Sequence, residues 1–159
     1  MRSSFQRETR QDRQDSAGGT LHRTATDEDS IASSGPFRLG RVLFGAVLAF
    51  MAVDNLRNLE ERVQYAESKN APMPSLSVPA TSGGLLFGGI GVALWRVPAA
   101  SAAAVAAFFV GATPLMHDFW SVDDPELRQQ EFFHFAKNAA LLGAALAFVK
   151  LGLSEDPRE

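Results

Sequence analysis

Histidines, acids and a lysine gather in two short stretches of this chain. His117 and Asp118 close one apolar run, and Glu131, His134, Lys137 and Asn138 lead into another. On a helix, which turns about 100° per residue, Glu131, His134 and Asn138 fall within about 60° of one another, with Lys137 about 60° beyond His134. One face of that helix is therefore polar. An imidazolium, an ammonium and a carboxamide are hydrogen-bond donors, so the set suits binding a carbonyl oxygen or passing it a proton. Each residue also has a plainer reading. His117 beside Trp120 fits an interfacial belt, His134 and Asn138 fit hydrogen bonds between helices, Glu131 fits a solvated first-turn acid, and Lys137 fits a salt bridge or a snorkelling chain.

Other chemistries drop out. Glu131 and His134 make one E-x-x-H, but the second copy that a di-iron bundle uses is missing and there is no H-E-x-x-H, so no metal site is expected. There is no G-x-S-x-G and no phosphate loop. The chain has no cysteine, which removes disulfides, thiol redox centres and thiolate-held clusters, and no covalently bound cofactor is expected. A net charge of −3, with no basic stripe interleaved with aromatics, argues against nucleic acid.

The elements that must position these groups are oily. Residues 42–53, 70–95, 97–117 and 138–149 carry no charge. The middle two reach the roughly 20 residues that a helix needs to cross a bilayer. The first reaches it from about Phe37 to Leu56, with Arg38 and Arg41 at one headgroup layer and Asp54 and Asn55 near the other. The last reaches it when Phe132–Lys137 joins the bundle, which makes Lys137 the one deep charge, so a carboxylate partner, Asp54 or Asp118, is expected for it. Pro98 suits a first helical position, and Asp124, Pro125 and Glu126 read as an N-cap, a first-turn proline and a dipole-matched acid. Pro114 predicts a kink near the end of the third helix. Glu60–Pro79, polar and holding Pro72, Pro74 and Pro79, predicts an extended loop that opens with at most a helical turn or two.

The fold class expected is all-α: an integral membrane, up-and-down four-helix bundle over residues 37–153. A polar, disordered tail is expected at 1–36, where charges of both signs nearly cancel and no apolar spacing recurs, and a short polar tail at 154–159. Small residues recur on the spans as Gly84, Gly88 and Gly91, as Ala103, Ala107 and Gly111, and as Ala139, Gly143 and Ala147, faces suited to close helix packing or to a homo-oligomer. With the tail on side one, lysine and arginine number ten on that side and four on the other. Both termini are thus expected in the cytoplasm, with the polar ends of helices one, three and four together in the outer leaflet of the plasma membrane.

The run FFHFAKNAALLG at Phe132–Gly143, with His117-Asp118-Phe119-Trp120 before it and four spans around it, resembles the DoxX family of small membrane proteins. The likeness covers residues 39–151. The F-x-K-N-x-x-L-x-G positions (Phe135, Lys137, Asn138, Leu141, Gly143) and the H-D-F-W run are its more specific parts. Asp54-Asn55-Leu56 departs from the glycine-rich stretch leading to a lysine that the family often carries there. The resemblance implies a four-helix inner-membrane protein, in some members a subunit of a thiosulfate:quinone oxidoreductase and in others part of a membrane redox complex. The leading expectation is an accessory, quinone-linked subunit whose His117, Asp118, Glu131, His134, Lys137 and Asn138 contact a quinone headgroup or a redox-enzyme partner. Two alternatives stay open: a structural anchor that assembles a partner without catalysis, and a small-molecule transporter.

Overall fold

The computed structural model describes residues 33–154; the expected tail at 1–32 and the last five residues lie outside that range. Among the described residues there are five α-helices and a 3-10 turn: α1 (Gly35–Arg57), α2 (Leu59–Ser68), α3 (Pro74–Leu94), α4 (Pro98–Met116), the turn Phe119–Ser121, and α5 (Pro125–Ser154). By contact density the chain divides at Gly40/Arg41, and the described part of the first unit, 33–40, is the opening of α1. Helix begins at Gly35, two residues before the expected start.

Four helices are long and apolar enough to cross a membrane: Gly35–Arg57, Pro74–Leu94, the segment Pro98–Ser121 and Pro125–Ser154. Large apolar side chains stand outward on them, Phe50 at 74% and Leu94 at 66% exposure, a pattern that requires lipid in place of water as the neighbour. The interior is correspondingly small, built on Leu48, Ala52, Leu85, Val105, Phe109 and Ala145.

Glycine sets how closely the helices approach. A Cβ on Gly45 would strike the Gly89 carbonyl oxygen and lie 2.8 Å from Ala93 N, and one on Gly89 would lie 2.7 Å from Gly45 O. Here α1 and α3 touch backbone to backbone. A Cβ on Gly88 would lie 2.7 Å from Ser101 O and from Val105 of α4, and one on Gly152 of α5 would strike Ala99. The other expected small faces turn away from the core: Ala103, Ala107 and Gly111, and likewise Ala139, Gly143 and Ala147, are exposed, and a Cβ at Gly84, Gly111 or Gly143 would meet nothing within 4 Å. Four-residue spacing records a small stripe but not the direction it faces, which the larger Val105 and Phe109 on α4 and Leu141 and Leu142 on α5 decide.

The expected extended loop at Glu60–Pro79 is instead mostly helix. Leu59, Val63 and Ala66 follow helical spacing, and Ala66 is fully buried; Glu60 and Glu61 lie in the first turn, where the helix dipole favours acids. Asn58 separates α2 from α1, its Nδ2 donating to the Asp54 carbonyl (3.1 Å) and carboxylate (3.0 Å). Pro74 opens α3, and Pro79 lies inside it at the cost of a backbone hydrogen bond. Helix α4 ends at Met116, two residues after Pro114. The Asp124 carboxylate accepts the Leu127 N–H at 2.8 Å, capping α5 as its sequence requires.

At the end of the spans where α3 turns into α4, Arg41 donates from Nη1 to the Ala93 carbonyl (3.1 Å) and sits 5.5 Å from the Trp95 ring centre. A cation at the carbonyl end of a helix and over an indole face is favourable on both counts. Phe148 of α5 packs against both Phe44 and Trp95.

Gly89→Val should therefore lower the stability of the detergent-solubilised chain by about 3 kcal/mol or more, since backbone must move to admit the side chain. Gly143→Val should change it little. Thermal melts followed by circular dichroism distinguish the two.

Candidate functional site

The opposite end of the spans collects the polar residues. Helix α5 has 30 residues and is about 45 Å long, against about 30 Å for the hydrocarbon layer, so its polar first turns reach past the oil. His117 and Asp118 follow directly on α4, and the short turn after them is held against α5 by aromatic packing: Phe119 lies 5.3 Å from Phe132 and 5.4 Å from Phe135, and Trp120 6.0 Å from Phe135, ring centre to ring centre. These edge-to-face contacts hold the His117-Asp118 corner beside Glu131 and His134.

Four of the expected site residues form one chain of contacts. His117 Nδ1 and Glu131 Oε2 are 2.7 Å apart, both side chains mostly shielded at 24% and 17% exposure. The rings of His117 and His134 stack at 5.1 Å and 15°. Lys137 Nζ approaches His134 Nδ1 at 3.5 Å. Asn138 is half-buried on the same helix.

Lys137 has neither of its expected carboxylates. Asp54 pairs with Arg62 of α2 at 2.9 Å, and Asp118 pairs with Lys69, just after α2, at 2.7 Å and also accepts the Ser121 hydroxyl. Lys137 itself is exposed. The physical reason is the extra helix: α2 brings two cations, Arg62 and Lys69, to acids that would otherwise have faced Lys137. The Asp118 carboxylate holds the Lys69 amine above the ordinary lysine value, by hydrogen bond first and by charge in addition, against a smaller opposing effect of burial. Sequence reasoning placed Arg62 and Lys69 on this side of the membrane but did not pair them with Asp54 and Asp118, and it did not single out Tyr65. The available signal was the Leu59, Val63, Ala66 spacing, masked by the prolines downstream.

Beside His117 lies a cavity of about 260 Å³, walled by α1, α2, α3 and α4. Its polar lining includes Asn55, Arg62, Tyr65 and His117, and its apolar lining Val78, Phe108 and Met116. Arg62 Nε is buried with no hydrogen-bond partner, although the same guanidinium pairs with Asp54 through Nη2. A cavity slightly below the usual range for drug-sized ligands, about 300–1,000 Å³, admits a single small ring. No group of three or more His, Cys, Asp or Glu among the described residues could hold a metal ion.

Four apolar spans, a polar corner where α4 meets α5 and a ring-sized chamber define a small helical integral membrane protein with its polar groups gathered at one end. The DoxX family model matches residues 37–118, more than half the chain, and the protein belongs to the DoxX family. That match covers α1–α4 and ends at Asp118, so Glu131, His134, Lys137 and Asn138 lie beyond it. No curated protein and no solved structure matches the chain.

Because the Lys69 value is raised on folding, its bridge stabilises fully below about pH 10 and ceases to do so as pH rises through the raised value. Lys69→Gln should cost about 1 kcal/mol near neutrality. The gap from the wild type should narrow in thermal melts taken at about pH 11.

Proposed function

We propose that this DoxX-family protein is a quinone-linked accessory subunit of a membrane oxidoreductase complex, with the quinone headgroup received in the chamber beside His117. The observation that carries this reading is the chamber itself: ring-sized, apolar on one side and lined on the other by Asn55, Arg62, Tyr65 and His117, with the Arg62 Nε–H buried and without a partner. Leaving such a donor unpaired costs on the order of 1–3 kcal/mol or more, and a carbonyl oxygen brought into the chamber would satisfy it. The residues present therefore fit the group. When bound, a quinone supplies a two-electron carrier whose oxygens take up protons on reduction.

The chain's own residues bind and orient that ring. Arg62 offers Nε–H and Tyr65 its hydroxyl. In its imidazolium form His117 donates Nδ1–H to Glu131 and still has Nε2–H to offer a second oxygen. Glu131 holds the His117 ring in place through the other nitrogen, and the stacked His134 with Lys137 lies on its far side toward water. Val78, Phe108 and Met116 exclude water from the ring face.

Two further parts of the reading concern placement. The exposed stripes Ala103-Ala107-Gly111 and Ala139-Gly143-Ala147 support contact with a second copy or a redox enzyme, because small residues let helices meet closely in lipid. The excess of basic residues on the side of the N-terminal tail, Arg38 and Arg41 included, supports a plasma membrane location with both termini in the cytoplasm.

His117→Leu and Arg62→Gln should each weaken binding of a short-chain quinone to the purified, reconstituted protein by about tenfold or more, the worth of a charged hydrogen bond, with helical content unchanged. Affinity equal to wild type in both variants would leave the anchoring role in its place. Orientation has its own readout, since the chain has no native cysteine. A cysteine at Asp123 should react with an impermeant thiol reagent on intact cells, and one at Ser154 only after permeabilisation.

A further inference from the structure

A second recess lies at the other end of the spans. It runs along the outer side of α3 to the turn before α4, holds about 400 Å³, and is lined by Gly83, Phe87, Ile90, Gly91, Leu94 and Arg96 among others. Gly83 lowers its floor between the apolar walls, whereas Gly91 is buried and faces Ser101 of α4. A Cβ at Gly83 would meet nothing within 4 Å, so the absent side chain leaves open space there.

The polar end of the recess is a single cation. Arg96 is exposed, and its guanidinium has no partner among the described residues. Arg41, Arg62, Lys69 and Arg128, by contrast, each donate to a protein oxygen. Residues 70–117 contain no aspartate or glutamate, so α3, α4 and their connecting turn offer Arg96 no acid. Trp95 adjoins it, and indole rings collect at headgroup depth.

We propose that this recess is a binding site for one anionic phospholipid, with part of an acyl chain along the Gly83–Leu94 floor and the phosphate on Arg96. A guanidinium presents a fork of donors that matches phosphate oxygens, and basic side chains at the membrane surface attract acidic headgroups. An anionic lipid is selected over a zwitterionic one because no acid on α3 or α4 is at hand to receive a choline or ethanolamine cation. Its Arg96 end lies at the opposite end of α3 from the His117 chamber, and the site stands whatever that chamber binds.

Native mass spectrometry of the full chain in detergent, titrated with phosphatidylglycerol or with phosphatidylcholine of the same acyl chains, tests it. Phosphatidylglycerol should be retained about fivefold better, the preference expected of one well-placed cation, and Arg96→Gln should abolish that preference. Gly83→Leu, which blocks the floor without a clash, should weaken retention of both lipids, while Gly143→Leu, on an open face of α5, should not. Equal retention of the two lipids by the wild type, a preference that survives Arg96→Gln, or Gly83→Leu and Gly143→Leu behaving alike would each overturn the site. So would a dimer that forms in place of the lipid adduct and is lost in Gly83→Leu.

Discussion

Hydrocarbon offers no partner to a polar group, so each group that enters it must be satisfied within the protein or carried out at an end. The residues between Asn70 and Trp95, and between Val97 and His117, hold no charged side chain, and α1 keeps Arg38, Arg41, Asp54 and Arg57 near its two ends. The exclusion divides the polar residues into two layers separated by oil. One layer is the cation and indole contact of Arg41 with Trp95. The other is the His117, Glu131 and Lys69 corner.

Within the oil, burial of apolar surface gives little reason for helices to associate, and close backbone contact takes over that work. Gly45 with Gly89, Gly88 with Ser101, and Gly152 with Ala99 are the points where it occurs. The contacts lie toward the Arg41 end, whereas the His117 end is tied by ion pairs and stacked rings. The chamber opens at the end where helices are held apart by side chains as large as Arg62, Tyr65 and Phe108. Close backbone packing thus marks one end, and bulky, charged side chains line the chamber at the other.

Much of this was legible in the residues. Runs without charge gave four spans to within a few positions, because the penalty for a charge in lipid is large and leaves a plain mark on a sequence. Asp124-Pro125-Glu126 gave the start of α5, because capping is local. The meeting of His117 with Glu131 and His134 followed from helix direction and length alone. What could not be read depends on three-dimensional choice. The stripes on α4 and α5 were visible, but their outward direction was not, since alanine and glycine serve equally in contact and in lipid. A carboxylate for Lys137 follows only if residues 59–68 are loop; with Leu59–Ser68 a helix, Arg62 and Lys69 reach Asp54 and Asp118 first. The family likeness seen in Phe132–Gly143 lies outside the segment that the family model covers, so the two lines of resemblance rest on different helices.

The 30 residues of α5 exceed the hydrocarbon thickness of an ordinary bilayer by roughly half. A shorter helix would have sunk Glu131 and His134 beneath the headgroups, and the protein would then need a hydrated passage to trade protons with the surroundings. Here the surplus turns act as a mast: they carry Glu131 and His134 to headgroup depth, where no hydrated passage through the oil is needed.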